Sequence, residues 1–248
     1  MTHSILFSFA HPDDESFSGV GTSMTYADRG IKTTLLTATR GQKGKCGEPA
    51  LCTAEELPAR RESELREAAR IGSIADVHLL DYTDRELAEA PRAEIVRALV
   101  GHIRRLRPTI VATFDPDGFN LHPDHIAISR FTSDAIAAAK DPRWFADAGA
   151  PHEVTRLLWT PTMPPWEAAL MPDLAGRGSV DFVLDIRKYR ERKAAALRAH
   201  RTQHLSINRC FFDHAEIDAI LSIEVWRQAW GPALERRPAT DIFAGITV

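Results

Sequence analysis

The chain has 248 residues, 44% hydrophobic and 26% charged, which suits an ordinary soluble globular protein with a sizeable core. Its net charge of −3 leaves no basic footprint for nucleic acid or an anionic membrane surface. No apolar run approaches the roughly 20 residues needed to span a bilayer, and the first residues lack the basic and apolar regions of a secretion signal.

Ser4 to Phe9 is a short, β-favouring apolar run and predicts a buried strand. It leads into the polar turn Ala10-His11-Pro12-Asp13-Asp14-Glu15 and then a helix over Ser16 to Arg29. Ile31 to Thr39 predicts a second strand. The glycine- and charge-rich segment that follows, Arg40 to Thr53, is long for a connection in an α/β unit, and such loops are often functional. It holds Cys46 and Cys52, two thiols that leave a zinc site incomplete. With Cys210 they suit a reducing compartment better than a disulfide framework, so the expected location is cytoplasmic.

A charged amphipathic helix covers Arg60 to Ile71 and is closed by Gly72. Val77 to Tyr82 is a third strand, Pro91 to Arg107 a helix stopped by Pro108, and Thr109 to Phe114 a fourth strand. The second polar turn, His122-Pro123-Asp124-His125, opens an Ala-rich helix over Ile126 to Lys140. Beyond Asp141, Trp and Pro punctuate two short strand-like runs, Thr155 to Thr160 and Phe182 to Ile186, which read as the sheet's far edge and a rim over the site. Helix is expected again over Arg187 to His200 and Glu216 to Trp230. The alternation predicts an α/β fold: a Rossmann-like, doubly wound, mostly parallel sheet in a single domain, residues 1–248.

In an open α/β sheet the strand-to-helix turns lie at the carboxyl edge, where ligands bind. Two parallel strands bring both His-Pro-Asp turns to that edge. Either turn alone is equally well explained as helix capping, by Asp13 or Asp14 on the first helix and Asp124 on the second. Their recurrence after two strands favours a metal. Imidazole and carboxylate both suit zinc, and a catalytic zinc takes three protein ligands and keeps one position open. His11, Asp14 and His125 supply that set, for one Zn2+ per chain, with iron or cobalt also compatible.

Asp13, His122 and Asp124 then stand beside the metal without ligand duty. A zinc-bound water, its pKa lowered towards about 7, can give its proton to Asp13 as general base. The oxyanion that forms needs a donor on the other side. Protonated His122 can serve, with Asp124 orienting its ring and favouring its charge. These are the parts of an amide hydrolase.

The two turns resemble the paired signatures of the PIG-L/LmbE-like zinc deacetylases. Thr39-Arg40-Gly41, the helix segment Arg61-Glu62-Ser63-Glu64-Leu65, Asp84 and Ala199-His200-Arg201-Thr202-Gln203 resemble further elements of that family, so the likeness covers most of the chain. It implies a Rossmann-like deacetylase acting on an N-acetylglucosamine-type amino sugar or glycoconjugate, with Arg61 and Asp84 hydrogen-bonding sugar hydroxyls. The implied partner is that small molecule, with neither nucleic acid nor membrane; a homo-oligomer is compatible. At Gly118-Phe119-Asn120-Leu121 the chain departs from the pattern, since many members carry glycine directly before the histidine. Other readings are an amidase of thiol conjugates or acylated natural products at the same metal, a two-metal phosphoester hydrolase drawing on Glu15 and Asp115, and a non-catalytic sugar-binding protein. The last is disfavoured by the intact Asp13. The Arg40–Thr53 loop and the Trp159–Pro172 stretch are expected to line the mouth, with Trp166 sensing the leaving portion of the substrate.

Overall fold

The computed structural model describes residues 3–161, 165–171 and 179–247. Five strands run parallel: β1 (Ser4–Phe9), β2 (Lys32–Thr39), β3 (Asp76–Tyr82), β4 (Ile110–Thr113) and β5 (Arg156–Trp159). β6 (Phe182–Asp185) and β7 (Ile223–Trp230) complete a seven-stranded sheet of order β3-β2-β1-β4-β5-β7-β6, with β7 antiparallel to both its neighbours. Ile5, Leu6, Phe7 and Phe9 of β1 are each no more than 2% exposed. A strand apolar on both faces belongs at the centre of a sheet covered on both sides. The covering helices are α1 (Asp14–Ser18), α2 (Val20–Ala27), α3 (Leu57–Ile71), α4 (Arg92–Leu106), a distorted turn α5 (Gly118–Leu121), α6 (Pro123–Ala139), α7 (Pro165–Ala168) and α8 (Arg190–Ala199). The short α9 (His204–Ile207) and α10 (Ile217–Ile220) follow. α3 and α2 pack with α8 in one layer, and α4 with α6 in the other. None of the helices, among the described residues, is long and apolar enough to cross a membrane.

Two elements differ from the sequence expectation. The first helix is broken at Gly19, where a Cβ would lie 2.9 Å from Phe7 Cε1, so the chain presses against the sheet there. Glu216 to Trp230 is not one helix; α10 ends at Ile220 and β7 begins at Ile223. The Ile223, Val225 and Trp226 side chains favour a strand, and β7 fills the slot between β5 and β6. Its Trp226 is fully buried. The strand order reverses at β1, which has β2 on one side and β4 on the other. Ligands of such sheets bind in the crevice outside that switch point.

Candidate active site

The turn after β1 places His11, Asp13 and Asp14 at the crevice. The Asp14 carboxylate folds back on its own turn, its Oδ2 accepting from the amides of His11 (2.8 Å) and Ala10 (3.1 Å). Burial works against its charge, but His125 and His11 outweigh burial and hold its carboxyl down at about 2. Asp13 sits at φ 102°, a left-handed conformation that costs a non-glycine residue about 1–3 kcal/mol and persists only where surrounding contacts impose it. Burial pushes its carboxyl up to about 6 against the pull of Arg61.

The turn after β4 is more contorted. Gly118, Phe119 and Leu121 all have positive φ, and a Cβ on Gly118 would meet the Ile126 amide nitrogen at 2.7 Å. Leu121 adopts φ 63° and is 73% exposed. A left-handed site directly before His122 explains in backbone terms why glycine suits that place. The contortion delivers the Gly118 carbonyl to His125 Nδ1 at 3.1 Å. A carbonyl only accepts, so Nδ1 carries the proton and the lone pair of His125 lies on Nε2.

His11 is fixed the other way round. Its Nε2 faces Asp124 Oδ2 at 3.0 Å and Asp84 Oδ1 at 3.2 Å, so that nitrogen holds the proton and Nδ1 holds the lone pair. His11 Nδ1 and His125 Nε2 then face each other at 3.2 Å. Asp14 completes the triangle, 3.4 Å from His125 Nε2 and 3.7 Å from His11 Nδ1. Ligand atoms about 2.0–2.1 Å from a tetrahedral ion stand about 3.3–3.4 Å apart. Two imidazole lone pairs and a carboxylate aimed at one point repel one another unless a proton or a metal cation lies between them. Burial opposes charge on His11, yet Asp124, Asp84 and Asp14 raise its pKa to about 10, so the surroundings call for positive charge at this point. The donors therefore fit a divalent cation held by His11, Asp14 and His125. A second group, His11, His122 and Asp124, is less suited because His122 Nδ1 already accepts from the Asp124 amide at 3.2 Å.

Asp124 corrects the expectation that it orients His122. Its carboxylate, fully buried, accepts from His11 Nε2 and from the amides of Arg85 (2.6 Å) and Leu87 (3.2 Å). Only its backbone amide touches His122. The expected upward shift of His122 is also overturned. Burial, His125 and His11 lower its pKa despite Asp124, so its ring is neutral, with Nε2–H as its donor.

Arg61 and Asp84, both only 4% exposed, line the same cavity but have protein partners already. Arg61 donates to the carbonyls of Pro12 and Gly41 and to Asp13 Oδ2 at 3.1 Å. Asp84 accepts from the Lys43 amide and faces His11. Of the carboxylates considered for a second metal, Glu15 pairs with His200 at 2.7 Å, and Asp115 accepts from the Phe119 amide at 2.7 Å.

The cavity encloses about 680 Å3. Lys43, Gly44 and Lys45 of the Arg40–Thr53 loop line it, as expected. Its far wall was not anticipated: Gln203, Ser206, Arg209, Cys210 and His214, from the segment after α8. Those residues carry no periodic or motif signal beyond the Thr-Gln pair. The Trp166 side chain, expected at the mouth, lies outside the described residues. Trp159 lies in β5, under the Arg227 guanidinium, and does not line this cavity.

A three-donor cation site beside a half-buried carboxylate and a neutral imidazole, at the switch point of a doubly wound sheet, defines a metal-dependent hydrolase. The family model described as PIG-L, GlcNAc-PI de-N-acetylase, matches residues 6–136, more than half of the chain. The chain belongs to the PIG-L family. It is 32% identical over 294 aligned residues to a 1D-myo-inositol 2-acetamido-2-deoxy-alpha-D-glucopyranoside deacetylase of Acidothermus cellulolyticus, covering 100% of this chain and 97% of that protein. It is 31% identical to a probable N-acetyl-alpha-D-glucosaminyl L-malate deacetylase 2 of Bacillus anthracis, covering 80% of each. The fold matches N,N'-diacetylchitobiose deacetylase from Pyrococcus horikoshii with a TM-score of 0.70 at 21% identity, over 91% of this chain and 83% of that one.

Proposed function

We propose that the chain is a cytoplasmic zinc-dependent deacetylase that hydrolyses the acetamide of an N-acetylglucosamine-type amino sugar or glycoconjugate, with residues 1–248 as one catalytic domain. The observation that carries this reading is the convergence of His11 Nδ1, Asp14 and His125 Nε2 on one point beside Asp13. The relatives named above act on acetamido sugars by name, which supports the substrate class.

A cation bound there supplies Lewis acidity, which acidifies water and polarises the amide carbonyl. The protein residues handle the proton and the charge. Arg61 occupies Asp13 Oδ2, which leaves Oδ1 to take the proton of the attacking water. Asp13 passes that proton to the amide nitrogen as the C–N bond breaks, giving acetate and a free amine. A carboxyl raised to about 6 is ionised at neutral pH yet basic enough for this task. His122 donates through Nε2–H to the oxyanion as a neutral donor, its Nδ1 being held by the Asp124 amide. Arg61 and Asp84 hold Asp13 and His11 in place, and a sugar hydroxyl is a further partner for each at the cavity floor.

The test is turnover of N-acetylated amino sugars, their glycosides and thiol conjugates by the zinc-loaded protein and by Asp13→Asn. The variant should keep its zinc and lose a factor on the order of 10²–10⁴ in kcat. Undiminished turnover in Asp13→Asn, or no acetamide cleaved by the parent protein, would refute the reading.

A further inference from the structure

The left-handed backbone at Asp13 raises the question of what imposes it. The Asp13 carbonyl accepts from the amides of Ser16 (2.9 Å) and Phe17 (3.1 Å), as any first helical turn would arrange. Its amide is held differently, by Glu15 Oε2 at 3.1 Å. Glu15 is completely buried, and its other oxygen, Oε1, accepts from Ser16 Oγ and from His200 Nε2 at 2.7 Å. His200, 1% exposed, comes from the end of α8, 185 residues further along the chain.

The turn that carries His200 also ties down the other walls of the site. Thr202 donates its amide and hydroxyl to Glu64 of α3, the hydroxyl at 2.7 Å. Glu64 lies one helical turn beyond Arg61, which itself holds Asp13 Oδ2. Gln203 donates to the Lys45 carbonyl at 2.8 Å, in the loop that lines the cavity. Residues 200–203 thus clamp the turn after β1, helix α3 and the Lys43–Lys45 loop together.

We infer that His200 is a positioning residue for the base: by holding Glu15 it fixes the Asp13 amide, and so the left-handed conformation that aims the Asp13 carboxylate. This rests on the general-base role given to Asp13 above. His200 lies behind Glu15, so its effect falls on the rate of the chemical step and not on substrate affinity. A base displaced by about 1 Å can lose on the order of a hundredfold in rate.

The experiment compares zinc-loaded His200→Gln with zinc-loaded His200→Asn by crystallography and steady-state kinetics. The glutamine amide nitrogen reaches the position of His Nε2 and can donate to Glu15, whereas that of asparagine stops near Nδ1. In His200→Gln, Asp13 should stay left-handed with kcat close to the parent value. In His200→Asn, Asp13 should leave that region, with kcat reduced on the order of ten- to a hundredfold. KM and zinc content should stay near those of the parent. The inference is overturned if His200→Asn keeps the parental Asp13 conformation and kcat, or if His200→Gln loses as much as His200→Asn. A parent protein that cleaves no acetamide, while Asp13 still relaxes in His200→Asn, would refute the proposed function and uphold the positioning role.

Discussion

Replacing Asp124 by asparagine separates the role seen in the structure from the one its sequence neighbourhood suggests. Two carboxylate oxygens here serve three donors: His11 Nε2 at 3.0 Å and the Arg85 amide at 2.6 Å on Oδ2, and the Leu87 amide at 3.2 Å on Oδ1. An asparagine keeps the better-used oxygen in place by turning its NH2 towards Leu87, which loses one backbone bond and sets two donors face to face. A buried group left unpaired costs about 1–3 kcal/mol of stability. The larger consequence is for the metal. With the negative charge gone from Nε2, His11 becomes a poorer donor at Nδ1, and losing such a partner behind a ligating histidine typically weakens metal binding by about 10–100-fold. That factor corresponds to about 1.4–2.7 kcal/mol. Zinc titration against a chromophoric chelator at equilibrium reads it directly, with urea denaturation checking that the variant is folded. His122→Ala should leave zinc affinity near the parental value in the same assay. An Asp124→Asn protein that binds zinc within twofold of the parent would refute the role assigned to this contact.

Lys193 and Glu224 form a fully buried pair at 2.7 Å, and Glu224 also accepts from the Gly21 and Thr22 amides at the start of α2. Lys193→Met should cost on the order of 3 kcal/mol, the lower end for an orphaned buried charge, since the amides still bind the carboxylate; an unchanged urea midpoint would contradict this. His102 has its pKa lowered to about 4 by burial, with Arg105 and His78 adding to the effect, and Arg105 donates to its Nδ1 at 2.8 Å. Because the folded pKa lies below the ordinary 6.5, the unfolded chain takes up this proton first, and the contribution present above pH 6.5 is lost as pH falls towards 4. The drop in urea midpoint between pH 7 and pH 5 should be smaller in His102→Leu than in the parent; equal drops would remove His102 from the account.

The parallel core and the two polar turns that meet at its edge were legible because their signals are local. An apolar run followed at once by His, Pro and Asp states both the strand and the polar edge it reaches. β7 was not legible in that way. Glu224 and Val225 are buried side by side, so the strand shows no clean alternation. The spacing of Ile217, Ile220 and Leu221 in and after α10, continued by Val225 of β7, also mimics one helix face across the boundary. The partner of Asp124 was hidden for a different reason. In sequence His122 lies two residues away, whereas the carboxylate reaches His11 across 113 positions. Only the strand order reveals that choice.

The same distinction explains why the ligand set needs more than two adjacent strands. Register pairs Phe7 with Ala112, so simple extension of both chains would carry residue 116, not His125, alongside His11. His125 arrives nine residues later because the segment from Asp115 to His122 turns back on itself through three positive-φ residues, closing on the Ile126 backbone at Gly118. The Gly118 carbonyl then sets the tautomer of His125. Strain in this loop and selection of the lone pair are therefore one feature. The left-handed Asp13, held from behind by Glu15 and His200, repeats the arrangement on the other turn. Each half of the site is a short polar motif whose chemistry is written locally and whose aim is set by contacts distant in sequence.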